Sequence, residues 1–172
     1  MQLADLNALD EGAAAGVFLR CCGSSRWARE MAAARPFTGV DALARTADAI
    51  WRGLDRADWL EAFAAHPKIG DGGAGQAGRV LSDPALGADW SDAEQAGVAD
   101  AAEPTRRRLA DANRDYEARF GYIFIVCATG KTAGEMLALL EARLRHDAGE
   151  ELGIAAEEQR QITQLRLRKL IA

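Results

Sequence analysis

One short segment of this sequence has the composition of a β-strand, and no second segment is suited to pair with it. Residues 122–128 read Tyr-Ile-Phe-Ile-Val-Cys-Ala, whereas alanine and leucine dominate elsewhere and β-branched runs are few. Because a lone strand cannot form a stable sheet, the pattern predicts an all-α fold with one extended, buried segment near 122–128. The backbone N–H and C=O groups of such a segment must bond to neighbouring groups or to a ligand.

The rest of the sequence shows helix-forming patterns separated by stop signals. Asp10 and Gly23 are placed to begin and end one helix, and Ser25 to begin the next. Four further helix starts are indicated at Thr38 with Asp41, Glu103-Pro104, Thr132 with Glu135, and Asp147 with Glu150. We therefore expect about seven to eight helices in a single domain spanning residues 1–172, interrupted by a long Gly-rich loop near 67–90.

Composition and charge exclude several classes of protein. The net charge is −5 and basic residues are scattered apart from Arg106-Arg107-Arg108, so we expect no surface that binds nucleic acid. We interpret the triplet as part of the solvent-exposed face of a helix. No apolar run approaches about 18 residues and no signal-peptide pattern opens the sequence, so no membrane association is expected. The positions of Cys21, Cys22 and Cys127 fit no disulfide framework, which favours a reducing, cytoplasmic location.

His66 is one of only two histidines, and it stands where a tryptophan-bearing helical pattern meets Pro67. Proline disfavours the helical conformation for the residue before it, so we expect His66 at the last helical or first extended position. The partial negative charge of a helix C-terminus favours the imidazolium form, which keeps a proton available near neutral pH. The alternative is that His66 only caps the helix and that Pro67 is an ordinary stop signal.

Two further places carry polar groups suited to a ligand. The first is Ser91, Glu94 and Gln95, after the Gly-rich loop. Ser-x-x-Glu is itself a capping box, and the same helix N-terminus can also offer N–H groups, a hydroxyl, a carboxylate and an amide to a polar ligand. The second is Arg166, between apolar residues of the last helix; it either rests its stem on the core with its head in water or binds an anionic group.

The sequence predicts neither a nucleotide nor a metal site. Gly130-Lys131-Thr132 resembles the end of a phosphate loop, but Ile125 stands where that loop requires glycine. The two histidines are distant and lack a pattern of carboxylate partners, so no metal is expected. His146, the second of them, is interpreted as a surface residue at a helix boundary.

Four motifs, taken together, resemble a known family. They are His66-Pro67-Lys68-Ile69-Gly70, Trp90 to Gly97, Tyr116 to Ala128, and Ile162 to Leu167, and Arg35-Pro36-Phe37 also fits. Their order and spacing are similar to those of the 2-oxo-4-hydroxy-4-carboxy-5-ureidoimidazoline (OHCU) decarboxylases of purine degradation. Two departures are the pair Arg145-His146 and the length of the loop between Gly70 and Gly87.

The resemblance implies an all-helical, cofactor-free and usually dimeric enzyme that converts OHCU, formed from urate, to (S)-allantoin. Carried onto matching positions, it implies that His66 is catalytic with support from Glu94. It implies that the substrate is bound by Pro67, Ser91, Gln95, the backbone of Phe124, Ile125, Val126, Cys127 and Ala128, and Arg166. We thus expect OHCU as the small-molecule substrate, a homodimer, and no cofactor.

Two other kinds of function are left open by the residues themselves. A helical module that binds another protein through its loop and exposed helix faces would not need His66. A metal-assisted hydrolase acting on a ureide would lose activity when treated with a chelator. Without the resemblance, the sequence predicts only a helical domain with a polar pocket.

Overall fold

The computed structural model describes residues 1–66 and 102–172, and in these two ranges it contains eight α-helices and no β-strand. In chain order they are α1 (Leu3–Ala8), α2 (Glu11–Cys22), α3 (Ser25–Ala33), α4 (Val40–Arg52), α5 (Arg56–Ala64), α6 (Glu103–Phe120), α7 (Ala133–Arg143) and α8 (Ala148–Ile171). The all-α prediction is confirmed, and residues 123–128 lie outside any helix, as predicted. The Gly-rich loop predicted near 67–90 falls outside the described residues. No helix in the described ranges has both the length and the apolar character needed to cross a bilayer.

The chain divides into two units, and the prediction of one domain over residues 1–172 stays a prediction. The first unit comprises Met1–Ala62 and Arg160–Ala172, and the second comprises Phe63–Gln159. Helix α8 contributes its first half to the second unit and its last part to the first.

In the first unit, α2, α3 and α4 pack around an aromatic core. The fully buried Trp27 ring meets Phe18 edge-on, with 6.0 Å between ring centroids, and its indole N–H donates to the Ala47 C=O at 3.1 Å. The last part of α8 joins α4, where the Gln164 amide donates to the Ala44 C=O at 2.9 Å. Buried rings with their polar N–H bonded contribute most of their apolar area without leaving a donor unpaired.

In the second unit, the residues around the extended segment form an aromatic cluster. Tyr116 on α6 meets Tyr122 and Phe124, and Phe120 on α6 meets Tyr122, with centroid separations between 5.3 and 6.2 Å. Phe63, near the end of α5, packs on the Tyr122 ring at 5.3 Å. The extended segment is therefore anchored by its ring side chains, and the end of α5 that leads to His66 is attached to the same cluster.

Several of the predicted helix boundaries are confirmed. Asp10 accepts the Ala13 N–H, and Gly23 ends α2 with a left-handed φ of 86°. The predicted capping box of Thr132 and Glu135 is present in both directions at the start of α7. At the start of α8, the Asp147 carboxylate accepts two backbone N–H groups at 2.9 Å.

The predicted cap of α3 was wrong by one residue. Ser24, not Ser25, has the extended backbone of a cap, and its hydroxyl accepts the Trp27 N–H at 3.3 Å. Ser25 is the first helical residue, and its N–H and hydroxyl donate to the Glu61 carboxylate instead. Two adjacent serines offer the same local signal, and the long-range partner of Ser25 decides between them.

The predicted capping box of α4 was also wrong. Thr38 would need Asp41 at the third helical position, but the helix begins at Val40, so Asp41 stands at the second. Gly39 precedes the helix with φ of 179°, and no side chain caps it. The box fails because the helix begins one residue later than the box requires.

The revised start of α3 can be tested by stability measurements. Ser24→Ala removes a buried cap and should lower the free energy of unfolding by about 1 kcal/mol. Ser25→Ala removes a contact at the exposed helix start and should cost about 0.5 kcal/mol or less. Urea denaturation of both variants measures the difference, and a larger loss for Ser25→Ala would contradict the assignment of the cap to Ser24.

Candidate active site

His66 lies two residues beyond α5 and is buried, with 9% of its surface exposed. Its backbone N–H donates to the Phe63 C=O at 3.1 Å, which tightens the final turn. The prediction that the helical pattern stops at or just before His66 is confirmed. His66 belongs to the same unit as the extended segment, and Phe63, three residues before it, packs on Tyr122 of that unit.

The extended segment is buried throughout the stretch that the resemblance assigns to substrate binding. The five residues from Phe124 to Ala128 each have at most 8% of their surface exposed. They lie in neither a helix nor a sheet, so the usual partners of a backbone are missing. Each buried backbone group then needs a partner from a side chain, from a turn or from a ligand.

Three charged side chains form hydrogen bonds with some of these backbone groups. Arg143 Nη1 donates to the Ile125 C=O at 2.8 Å. The Cys127 N–H donates to Glu158 Oε2 at 2.6 Å, and Lys131 Nζ donates to the Cys127 C=O at 2.7 Å. Both backbone groups of Cys127 are therefore engaged within the protein.

Other backbone groups of the segment are left for a further partner. The N–H groups of Ile125 and Val126 and the Val126 C=O have no hydrogen-bond partner among residues 1–66 and 102–172. Both residues are at most 5% exposed. A buried donor or acceptor without a partner costs about 1–3 kcal/mol, so this stretch is suited to bind a polar ligand.

Arg143 is held by a fully buried carboxylate. Its Nε and Nη2 atoms lie 2.7 and 2.6 Å from Oε1 of Glu151, which has no exposed surface. The guanidinium also lies over the Phe124 ring, 4.7 Å from the ring centroid. Arg143 therefore meets the extended segment twice, at the Phe124 ring and at the Ile125 C=O.

Two further groups complete the environment of Glu151. The Tyr116 hydroxyl donates to Glu151 Oε1, and burial, followed by this hydrogen bond, raises the pKa of Tyr116 above its ordinary value. His146 Nδ1 lies 2.9 Å from Glu151 Oε2. Because a carboxylate only accepts hydrogen bonds, Nδ1 carries the proton. His146 is half-buried and bonded to this cluster, so its interpretation as a surface residue was only partly right.

Sequence reasoning did not identify Arg143, Glu151 or Glu158, although a signal exists. Arg143 follows Met136 and Leu140 at helical spacing, so it occupies a core-facing position of α7. Glu151 has the same relation to Ala155 on α8, where both residues are fully buried. A charged residue in the register of an apolar stripe indicates a buried ion pair or a functional group.

Arg166 belongs to the first unit, near the end of α8, and is buried with 7% of its surface exposed. The alternative that its head lies in water was therefore wrong. Its positive charge acts on two thiols of α2, those of Cys21 and Cys22, but burial outweighs it and raises the pKa of each to about 12. Both cysteines are consequently protonated and inert near neutral pH.

The remaining predicted site residues lie outside the described ranges. These are Pro67, Ser91, Glu94 and Gln95. Within the described part of the chain, no group of three histidine, cysteine, aspartate or glutamate residues is arranged to hold a metal ion. The triplet at residues 106–108 is exposed, as expected, and its arginines pair with Glu103 and Glu141.

Comparisons with known proteins agree on one family. The sequence model of the family OHCU decarboxylase matches residues 7–168. The chain is 38% identical over 156 residues to the uric acid degradation bifunctional protein TTL of Arabidopsis thaliana, covering 88% of this chain and 45% of that protein. It is 27% identical over 168 residues to the 2-oxo-4-hydroxy-4-carboxy-5-ureidoimidazoline decarboxylase of Haloferax volcanii, covering 97% of this chain and 94% of that protein. A crystal structure of OHCU decarboxylase in the presence of (S)-allantoin superposes with a TM-score of 0.75 at 37% identity, covering 91% of this chain and 97% of that chain.

These matches place the chain among the decarboxylases, which are carboxy-lyases. Since the family match spans nearly all of the sequence, the chain belongs to the OHCU decarboxylase family. The resemblance recognised from the four motifs is thus confirmed. The chain spans less than half the length of the Arabidopsis relative.

The buried ion pair of Arg143 and Glu151 makes a prediction about stability. Arg143→Met should lower the free energy of unfolding by about 3–5 kcal/mol, because it leaves the Glu151 carboxylate buried without its partner. The double variant Arg143→Met/Glu151→Leu should be more stable than Arg143→Met, since it removes both charges. Urea denaturation of the variants checks this, and losses that simply add in the double variant would show that the pair is not coupled.

Proposed function

We propose that this chain catalyses the cofactor-independent decarboxylation of OHCU to (S)-allantoin in urate degradation. The observation that carries the proposal is the buried stretch at Ile125 and Val126, whose amide N–H groups lack partners among the described residues. This stretch lies in the same unit as the buried His66. A ring with amide-like edges supplies the complementary acceptors and donors, and OHCU is such a ring.

The chemistry of the substrate limits what the protein residues must contribute to the reaction. The carboxylate of OHCU is attached to a ring carbon whose neighbour is an imine, so the electrons released with carbon dioxide flow into that imine. The substrate supplies its own electron sink, a task that an organic cofactor performs in many other decarboxylases. The protein must orient the breaking bond, offset the developing charge and deliver one proton to one face.

Roles for the individual residues follow from this division of labour. We assign proton transfer to His66, with Glu94 holding the imidazole or binding the ureido group. Ser91 and Gln95 form hydrogen bonds with polar groups of the substrate, and Pro67 contacts the substrate. Arg166 binds an oxygen or the carboxylate; too tight a grip on the carboxylate would oppose its loss.

The backbone contribution is assigned more narrowly than the resemblance implies. Of the stretch from Phe124 to Ala128, we assign the reading of the ring to Ile125 and Val126. Cys127 already bonds Glu158 and Lys131 through its backbone, which leaves little capacity for a substrate. We also propose a homodimer, as the family resemblance implies, and a cytoplasmic location, as the cysteine positions favour, with residues 1–172 forming one catalytic domain.

The activity can be tested by generating OHCU from urate in situ and following optical rotation. The chain should accelerate the appearance of (S)-allantoin over the slow racemic background, because an enzyme delivers the proton to one face. Reactions without the chain and with heat-denatured chain are the controls. An unchanged rate, or racemic product, would contradict the proposed function.

The role of His66 is tested against the only other histidine. His66→Asn should lower kcat by roughly 10²- to 10⁴-fold, the range expected for loss of a general acid or base. His146→Asn is the matched control, because the asparagine amide can still donate to Glu151, and its rate should stay within about threefold of wild type. Circular dichroism verifies that both variants are folded. Full activity in folded His66→Asn would remove this residue from the mechanism.

A further inference from the structure

The orientation of a peptide unit can be set from either of its two ends. The peptide bond is planar and trans, so the C=O of one residue and the N–H of the next point in opposite directions from one rigid plane. Arg143 bonds the Ile125 C=O at 2.8 Å. The Val126 N–H is the other end of that plane, and it points away from the guanidinium.

Glu158 has the same relation to the next peptide unit. Its carboxylate accepts the Cys127 N–H at 2.6 Å, and the Val126 C=O is the other end of that plane. The two groups of Val126 that lack partners among the described residues are therefore the far ends of two planes, each held by a charged side chain. Residues 123–128 lie outside any helix, and in the extended backbone predicted for them the N–H and C=O of one residue point to the same side.

We propose that Arg143 and Glu158 are positioning residues that aim the N–H and C=O of Val126 together at the substrate. A paired donor and acceptor of this kind matches the adjacent C=O and N–H of a cyclic ureide. The inference rests on the proposed function for the identity of the ligand, and on the described contacts for the orientation of Val126.

Residues on one face of α8 fix both peptide units, the one between Ile125 and Val126 and the one between Val126 and Cys127. Glu151 and Glu158 are seven residues apart, which places them on the same side of the helix. Glu151 holds Arg143 through two of its nitrogen atoms, and Glu158 holds the Cys127 N–H directly. Arg143 is further fixed by the Phe124 ring beneath it. The side chains of α8, rather than the segment itself, thus set the direction of the Val126 N–H and C=O groups.

Lys131 offers a matched comparison in the same segment. Its ammonium donates to the Cys127 C=O at 2.7 Å, so it holds the peptide unit between Cys127 and Ala128. That unit contains neither group of Val126. Loss of Lys131 therefore removes a similar bond from the segment without releasing the planes that aim Val126.

The sequence allows each plane to be observed alone by NMR. Ile125-Val126 is the only Ile-Val pair and Val126-Cys127 the only Val-Cys pair in the chain. Labelling the first residue of a pair with ¹³C at the carbonyl and the second with ¹⁵N yields one cross-peak per plane. Arg143→Lys should move the Ile-Val peak, with the carbonyl shifting upfield as its hydrogen bond weakens. Glu158→Ala should move the Val-Cys peak, and Lys131→Met should move both far less. A Val-Cys peak unchanged in folded Glu158→Ala would overturn the proposal whether or not the chain turns over OHCU.

Kinetics separate a positioning role from a merely structural one. Glu158→Ala should lower kcat/KM for OHCU by roughly 10- to 100-fold, since misplacement of a bound substrate by about 1 Å costs on this scale. Glu158→Gln keeps an oxygen that can accept the Cys127 N–H and should recover most of that loss. Lys131→Met should stay within about threefold of wild type. These variants change half-buried side chains, so they avoid the severe destabilisation expected when Arg143 loses its charge.

The possible outcomes distinguish this inference from the proposed function. Wild type without activity toward OHCU would contradict the proposed function, and the NMR comparison would then decide the orientation of Val126 by itself. Active wild type with Glu158→Ala and Lys131→Met affected equally would overturn the positioning role. Equal losses in Glu158→Ala and Glu158→Gln would also overturn it, because the negative charge rather than the hydrogen bond would be responsible.

Discussion

The second unit depends on a buried ion pair between Arg143 and Glu151. Taking two charges out of water costs several kcal/mol per ion, and mutual attraction repays this only with good geometry and additional hydrogen bonds. Here Arg143 uses Nε and Nη2 on Glu151 and Nη1 on the Ile125 C=O, while Tyr116 and His146 bond the same carboxylate. The pair is thus satisfied by a set of groups that also reaches the candidate active site.

This arrangement answers a problem posed by the extended segment itself. A buried stretch outside helices and sheets has polar backbone groups that the regular ladders do not satisfy. Arg143, Glu158 and Lys131 supply partners for three of those groups, and the aromatic cluster of α6 covers the side chains. The N–H groups of Ile125 and Val126 and the C=O of Val126 are among the groups that have no partner in the described part of the chain. Such an arrangement increases the affinity for a small polar ring, because the hydrogen-bond donors are oriented before the ligand binds.

Much of the fold could be predicted from local sequence, and the wrong cap of α3 shows where local sequence is insufficient. The helix patterns, the caps at Asp10 and Thr132 and the lone segment at 122–128 depend on neighbours within a few residues, and they are confirmed. The cap of α3 was misassigned because the partner of Ser25, Glu61, is 36 residues away. Long-range partners do not leave a local pattern.

The candidate site shows the same division. The position of His66 beyond α5 followed from Pro67 alone, and the burial of residues 124–128 followed from their composition. The contacts of Arg143 and Glu158 with the segment join residues 18 and 31 positions apart, so spacing could not reveal them. For Arg143, the only signal was a charged residue in an apolar register. The roles of Ser91, Glu94, Gln95 and Arg166 continue to rest on the family resemblance.

A ligand titration can show whether the backbone of Val126 binds the ring of the substrate. The protein carrying the Ile-Val label pair is titrated with (S)-allantoin, the product of the proposed reaction, while the single cross-peak is recorded. We expect the Val126 amide proton to move downfield and to saturate, because its N–H gains an acceptor. (R)-allantoin should produce a weaker shift at the same concentration. An unmoved Val126 peak at saturating (S)-allantoin, in protein that is active toward OHCU, would contradict the account.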